Sequence, residues 1–182
     1  MAYVSKPTIV SRSSWGAGTN TCQTNLPKAN VTKLVIHHCA SANSRVDKDT
    51  PQVHQKYIQG VHKGAPNNWC DIGYHFGVGK DGTILEGMPI GKQGIHVGND
   101  NYYTLGVVLH GDFNTRTFGG AQRTALERIL AWLCYDYGLK ATDIIYHQML
   151  ANKDCPGANV ISQISSIRSN VHTILNSGPI SG

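Results

Sequence analysis

The sequence predicts an α/β fold, a mixed central β-sheet flanked by about three helices, and three observations carry that reading. Lys33–His38 (KLVIHH) and Thr104–His110 (TLGVVLH) are short apolar runs with β-branched residues, the signature of buried strands. An Asp-Gly turn at Asp81-Gly82 joins two further extended runs, a strong hairpin signal. Between the strands, apolar residues recur at helical spacing, and strands interspersed with helices make a sheet covered on its faces.

The elements follow in order along the chain. Residues 1–32 are rich in Ser, Thr, Asn and Gly and read as irregular. After the Lys33–His38 strand, Thr50 and Pro51 suit an N-cap and a first helical residue. They open a helix to about His62, with Val53, Tyr57 and Val61 expected to anchor it at spacing four. Gly73–Gly79 and Thr83–Glu86 read as two strands joined by Lys80-Asp81-Gly82. Beyond the Thr104–His110 strand, Ala125, Leu126, Ile129, Leu130, Leu133 and Tyr137 keep helical spacing from Ala121 to Tyr137, and Gly138 supplies the stop. Ile144–His147 reads as a short strand, and Val160–Leu175 as a last amphipathic helix capped by Asn159. Residues 1–175 are expected to form one domain, and 176–182 (NSGPISG) a linker-like tail.

Composition narrows the classes of function. The formal net charge is +5, which favours polyanionic partners, among them the acidic polymers of a bacterial wall. The basic residues are scattered, without runs or interleaved aromatics, which argues against a nucleic-acid partner. No segment approaches the roughly 20 apolar residues of a membrane span, so no membrane role is expected. The first residues contain no apolar leader core, and a secretory signal is expected to be absent or already removed. Five cysteines are too few for a disulfide-framework protein of this size, and their odd number invites a separate role for one.

Three residues combine into a chemical pattern. His37 lies near the end of the VIHH strand, His147 closes IIYH, and Cys155 follows in KDCPG. Two imidazoles and a thiolate are good zinc ligands, and three protein ligands leave a fourth position for water, as in catalytic rather than structural zinc sites. The bland alternative is that these are strand-end histidines satisfied by hydrogen bonds, and spacing alone does not exclude it.

The same residues carry a resemblance. VIHH, WCDIGYHF and the His147–Gly157 run, with RSSWGA (Arg12–Ala17), Glu86-Gly87, the G-x-H of Gly94–His96 and LGVVLHGDF (Leu105–Phe113), resemble in order the zinc amidases that include peptidoglycan recognition proteins and amidase-type phage lysozymes. The match spans nearly the whole chain. It implies hydrolysis of the amide bond between N-acetylmuramic acid and L-alanine of bacterial peptidoglycan, with zinc on His37, His147 and Cys155. It favours the first histidine of the HH pair.

The resemblance further implies Tyr74 as a catalytic residue beside the zinc water and Lys153 as an oxyanion donor, with His96 and Asn99 lining the substrate groove. Where some relatives carry a glutamate base on the Leu105–His110 strand, this chain has Val108. His38, His75 and His110 receive no role, and His54, His62 and His172 are expected at the helix surface. The alternative on the same scaffold is a non-catalytic peptidoglycan-binding receptor, a type that has typically lost a ligand.

The family also implies action at the bacterial wall by a monomer, either secreted or released as an endolysin or autolysin. Secreted relatives carry a disulfide at positions matching Cys22 and Cys70, so that bridge is expected here. Cys134 is read as a buried free thiol and Cys39 as having no partner.

Overall fold

Six strands form a mixed sheet in the order β1-β4-β3-β5-β2-β6, seen in a computed structural model that describes residues 2–177. They are β1 Ile9–Val10, β2 Lys33–His38, β3 Phe76–Val78, β4 Ile84–Glu86, β5 Thr104–Leu109 and β6 Ile144–Tyr146. β2 lies next to the β6 edge, paired in parallel with β5 on one side and β6 on the other. β3 is parallel to β5 and turns back antiparallel into β4, as the Asp-Gly turn predicts. β1, hidden in the irregular N-terminal stretch, adds a two-residue edge parallel to β4.

Side-chain alternation divides the sheet into two faces. Leu34 and Ile36 of β2, with Leu105, Val107 and Leu109 of β5, point into the main core. Two helices cover that side, α3 (Gly120–Tyr137) and α5 (Ile164–Ser177), through Leu126, Ile129 and Leu130 and through Ile167 and Val171. α3 stops where Gly138 takes the left-handed conformation at φ 68°. Val35 points the opposite way, against Val97 and Ile145. By the same alternation His37 leaves the main core and His38 enters it, so only the first can join a site on the second face.

Helix α2 (Pro51–Lys63) begins as expected, with the Thr50 side chain accepting from the Val53 N–H and proline in the first turn. Its buried face corrects the sequence reading. Val53, Tyr57 and Val61 are 54%, 38% and 45% exposed, whereas His54, Gln55, Ile58, Gln59 and His62 are buried. The helix packs largely on backbone and polar groups that need partners, so polar side chains are the ones that fit. The Gln59 side chain accepts from the Gly18 N–H at 2.8 Å and donates to Asp71 at 2.6 Å; His62 Nδ1 accepts from the Gly73 N–H at 3.0 Å. Burial of His54 and His62 overturns their surface assignment, while His172 is exposed as expected.

A short helix, α1 (Asn43–Lys48), precedes α2; it buries only Val46 and leaves no periodic trace. The last predicted helix is two pieces, α4 (Ala158–Ile161) and α5. Asn159 lies inside α4 and donates to the Arg116 carbonyl instead of capping. Helix α5 extends through Ser177, two residues into the expected tail, and the rest of that tail lies outside the described residues.

The irregular N-terminus is firmly tied. Arg12 pairs with the buried Asp71 at 2.8 Å, Trp15 Nε1 donates to the Glu86 carbonyl at 2.7 Å, and Cys22 is bonded to Cys70 as expected. Cys134 is a buried free thiol. No described helix is long and apolar enough to cross a membrane.

Candidate metal centre

Parallel pairing brings the site together at the C-terminal ends of β2, β5 and β6. Ile36 lies opposite Tyr146, so His37 and His147, one residue on, come out side by side with ring centroids 4.6 Å apart. Cys155 returns to them because the intervening loop closes on itself, with the Gln148 N–H donating to the Cys155 carbonyl at 2.9 Å. Gly157 lets the KDCPG segment lie against its neighbour. Its φ is +94°, and a side chain there would meet the Phe113 carbonyl carbon at 2.5 Å. Ligand atoms of His37, His147 and Cys155 all fall within 4.8 Å of one another. Cys155 Sγ is 3.6 Å from His37 Nδ1, which identifies the nitrogen turned to the cluster.

The electrostatics suit a cation. Burial first, then the neighbouring His96, His147 and His38, hold the His37 imidazole neutral well below its ordinary range. Burial and the Lys153 charge lower His147 as well. Burial pushes the Cys155 thiol up to about 12. A buried thiol beside two neutral imidazoles keeps its proton unless a cation takes its place, which is what a coordinated metal does to a thiol. The donor set therefore fits a zinc ion.

The other expected site residues take distinct positions. Tyr74 is partly buried with its ring 5.0 Å from that of His37, and burial, then the thiols of Cys155 and Cys39, push its hydroxyl above the ordinary range. Lys153 is exposed on the ligand loop. Val108, where the alternative glutamate would stand, pairs across the strands with His37 and is fully buried. Asn99 is exposed on a 3-10 stretch, Gly98–Tyr103.

His96 departs from expectation. It is buried, with Nδ1 3.0 Å from His37 Nε2 and Nε2 3.5 Å from Thr104 Oγ1. Both ring nitrogens are thus engaged inside the protein, and the residue stands behind His37 instead of lining an open groove. Thr104 carried no signal of its own at the sequence level. The histidines without assigned roles are structural acceptors and donors. His75 Nδ1 accepts from the Gly106 N–H at 3.1 Å, and His38 Nδ1 accepts from the Phe113 N–H at 3.2 Å. Cys39 is not isolated either: its sulfur lies 3.6 Å from His54 Nε2 and accepts from the Gly111 N–H at 3.2 Å.

Comparison with known proteins places the chain in a family. Residues 27–158 match the family model described as N-acetylmuramoyl-L-alanine amidase. Peptidoglycan-recognition protein SC2 of Drosophila simulans is 34% identical over 158 residues, covering 86% of this chain and 84% of that protein. The solved endolysin amidase LysCS from Clostridium intestinale URNW superposes with a TM-score of 0.70 at 30% identity, covering 91% of this chain and 97% of that one. Peptidoglycan recognition protein LE, solved in complex with tracheal cytotoxin, a monomeric diaminopimelic acid-type peptidoglycan, gives a TM-score of 0.77 at 26% identity, covering 87% and 92%. The family match over most of the chain and these relatives show that the chain belongs to the N-acetylmuramoyl-L-alanine amidase family, which it shares with the peptidoglycan recognition proteins.

Proposed function

We propose that this protein is a zinc-dependent N-acetylmuramoyl-L-alanine amidase that cuts the stem peptide of bacterial peptidoglycan from its glycan. The observation that carries the reading is the convergence of His37, His147 and Cys155 from β2, the end of β6 and the following loop. A receptor that only binds has no need of a complete ligand set. Zinc held there would supply a Lewis acid and a water acidic enough to ionise near neutral pH.

The chain's own residues would do the rest. Tyr74, whose hydroxyl stays protonated, hydrogen-bonds the attacking oxygen or the departing amine nitrogen beside His37. Lys153, close enough for its charge to depress His147, offers an ammonium to the oxyanion that forms as water adds to the lactyl carbonyl. The C–N bond then breaks, and the alanine amine leaves with a proton. Asn99, exposed beyond His96, contacts the muropeptide at the rim. The protein acts as a monomer at the bacterial wall, reached by secretion or by release from a lysing cell.

The test is to incubate the protein with purified wall and count newly exposed alanine amino termini. Release should be abolished by a chelator and restored by zinc, without new reducing sugar ends. Retained wall binding without release would instead establish the receptor.

A further inference from the structure

We infer that His96 is a positioning residue that fixes His37 in the tautomer carrying its proton on Nε2, leaving Nδ1 as a bare lone pair for the metal. The metal part rests on the function proposed above; the proton order does not, because hydrogen bonding dictates it from the far end.

The chain of bonds begins at a backbone carbonyl, which can only accept. Thr104 Oγ1 lies 2.8 Å from the Asp100 carbonyl oxygen, so its single proton points there. Toward His96 Nε2, 3.5 Å away, that same oxygen can then offer only a lone pair, which together with the Thr104 backbone acceptor favours the His96 proton on Nε2. Nδ1 of the neutral His96 ring is therefore an acceptor. Its partner at 3.0 Å is His37 Nε2, which must donate. With that proton on Nε2, His37 Nδ1 is bare, and Nδ1 is the atom 3.6 Å from Cys155 Sγ. Backbone acceptors at one end thus set the proton order of two imidazoles and aim the ligand atom before any metal arrives.

The fold makes room for this ring specifically. A side chain at Gly106 of β5 would come within 2.8 Å of the His96 ring, and one at Gly94 within 2.6 Å. His96 is held from its backbone too, since Asn101 Oδ1 accepts the N–H groups of His96 and Val97, each at 2.9 Å. Two bare glycines and a side-chain clamp hold a histidine that reaches no solvent-open groove. Direct partners of metal-bound histidines typically change metal affinity by about 10–100-fold when removed.

Two measurements test the inference. Nitrogen-15 NMR of the metal-free protein should show His37 as the Nε2–H tautomer, and His96→Ala should convert it to a mixture. Zinc affinity, read by competition with a chromophoric chelator, should fall about 10–100-fold in His96→Ala. His96→Asn should recover most of it, because the amide oxygen can stand where Nδ1 stood. Thr104→Val, which removes the acceptor but keeps the volume, should shift the tautomer in the same direction. An Nδ1–H tautomer in the unaltered protein would overturn the inference, as would unchanged zinc affinity in His96→Ala or an Asn variant no better than the alanine one. Should the unaltered protein take up no zinc, the metal-centre reading fails, and the tautomer measurement still decides the role of His96. Should the alanine variant fail to fold, the tautomer in the unaltered protein and the asparagine variant decide it.

Discussion

Mild acid should unfold the metal-free protein, because three histidines away from the ligand trio are buried neutral. Burial lowers His62 and His75 to about 4; burial, then the neighbouring His54, lowers His110 to about 3. Each binds its proton more readily in the unfolded chain, where the ordinary value is 6.5. Their contribution to stability is therefore full above 6.5 and is lost as pH falls toward the folded values. At pH 5 each costs about 2 kcal/mol, and the three together about 6 kcal/mol, by the linkage relation. Typical domains have about 5–15 kcal/mol to lose. One group works the other way: burial lowers His54, but its bonds to Cys39 and Asp49 outweigh that and raise it, so its share grows on acidification. Urea unfolding at pH 7, 6 and 5, with chelator throughout, measures the balance. The midpoint should fall steeply below pH 6.5, and His110→Gln should flatten the fall by about one proton, about 1.4 kcal/mol per pH unit. A midpoint unchanged between pH 7 and 5 would refute the burial argument.

Three further outcomes follow from the structure. Tyr74→Phe removes one hydroxyl and should lower turnover by about 10²–10⁴-fold with the unfolding midpoint unchanged; wild-type turnover would return Tyr74 to a packing role. Lys153→Ala should reduce kcat more than it raises KM, since an oxyanion donor acts mainly in the transition state; an effect confined to KM would make it a binding residue. Replacing Cys22 and Cys70 with serine opens a loop with a sequence separation of 48 and should cost up to about 4 kcal/mol in urea unfolding. A loss under about 1 kcal/mol would mean that Arg12, Trp15 and their partners pin the N-terminus unaided.

Legibility in the sequence followed apolar periodicity. β2, β5 and α3 bury continuous or regularly spaced aliphatics and stand where the pattern puts them, whereas the first hairpin strand, expected over Gly73–Gly79, is confined to Phe76–Val78. α1 and β1 bury too little to leave a pattern. α2 misled for a physical reason: Val53, Tyr57 and Val61 make a plausible stripe, but the face that packs meets backbone donors and carboxylates, so it is polar. Spacing cannot reveal what a helix will pack against. The ligand trio was legible as residue types at strand ends, while its closure depends on the Gln148–Cys155 bond, which has no sequence signature. His96 was legible only as part of a motif. Its true depth follows from Gly106, and a glycine inside an aliphatic strand was the available sign that something approaches closely there.

Two neighbours of His37 differ sharply in character. Val108, directly across from His37, is apolar and fully buried, so that side of the ligand holds no charge and no competing acceptor. His96 Nδ1 stands 3.0 Å from the other ring nitrogen, on the opposite side from Cys155. Under the function proposed above, Tyr74 is a phenol held protonated by burial beside His37, so changing it tests that proposal directly.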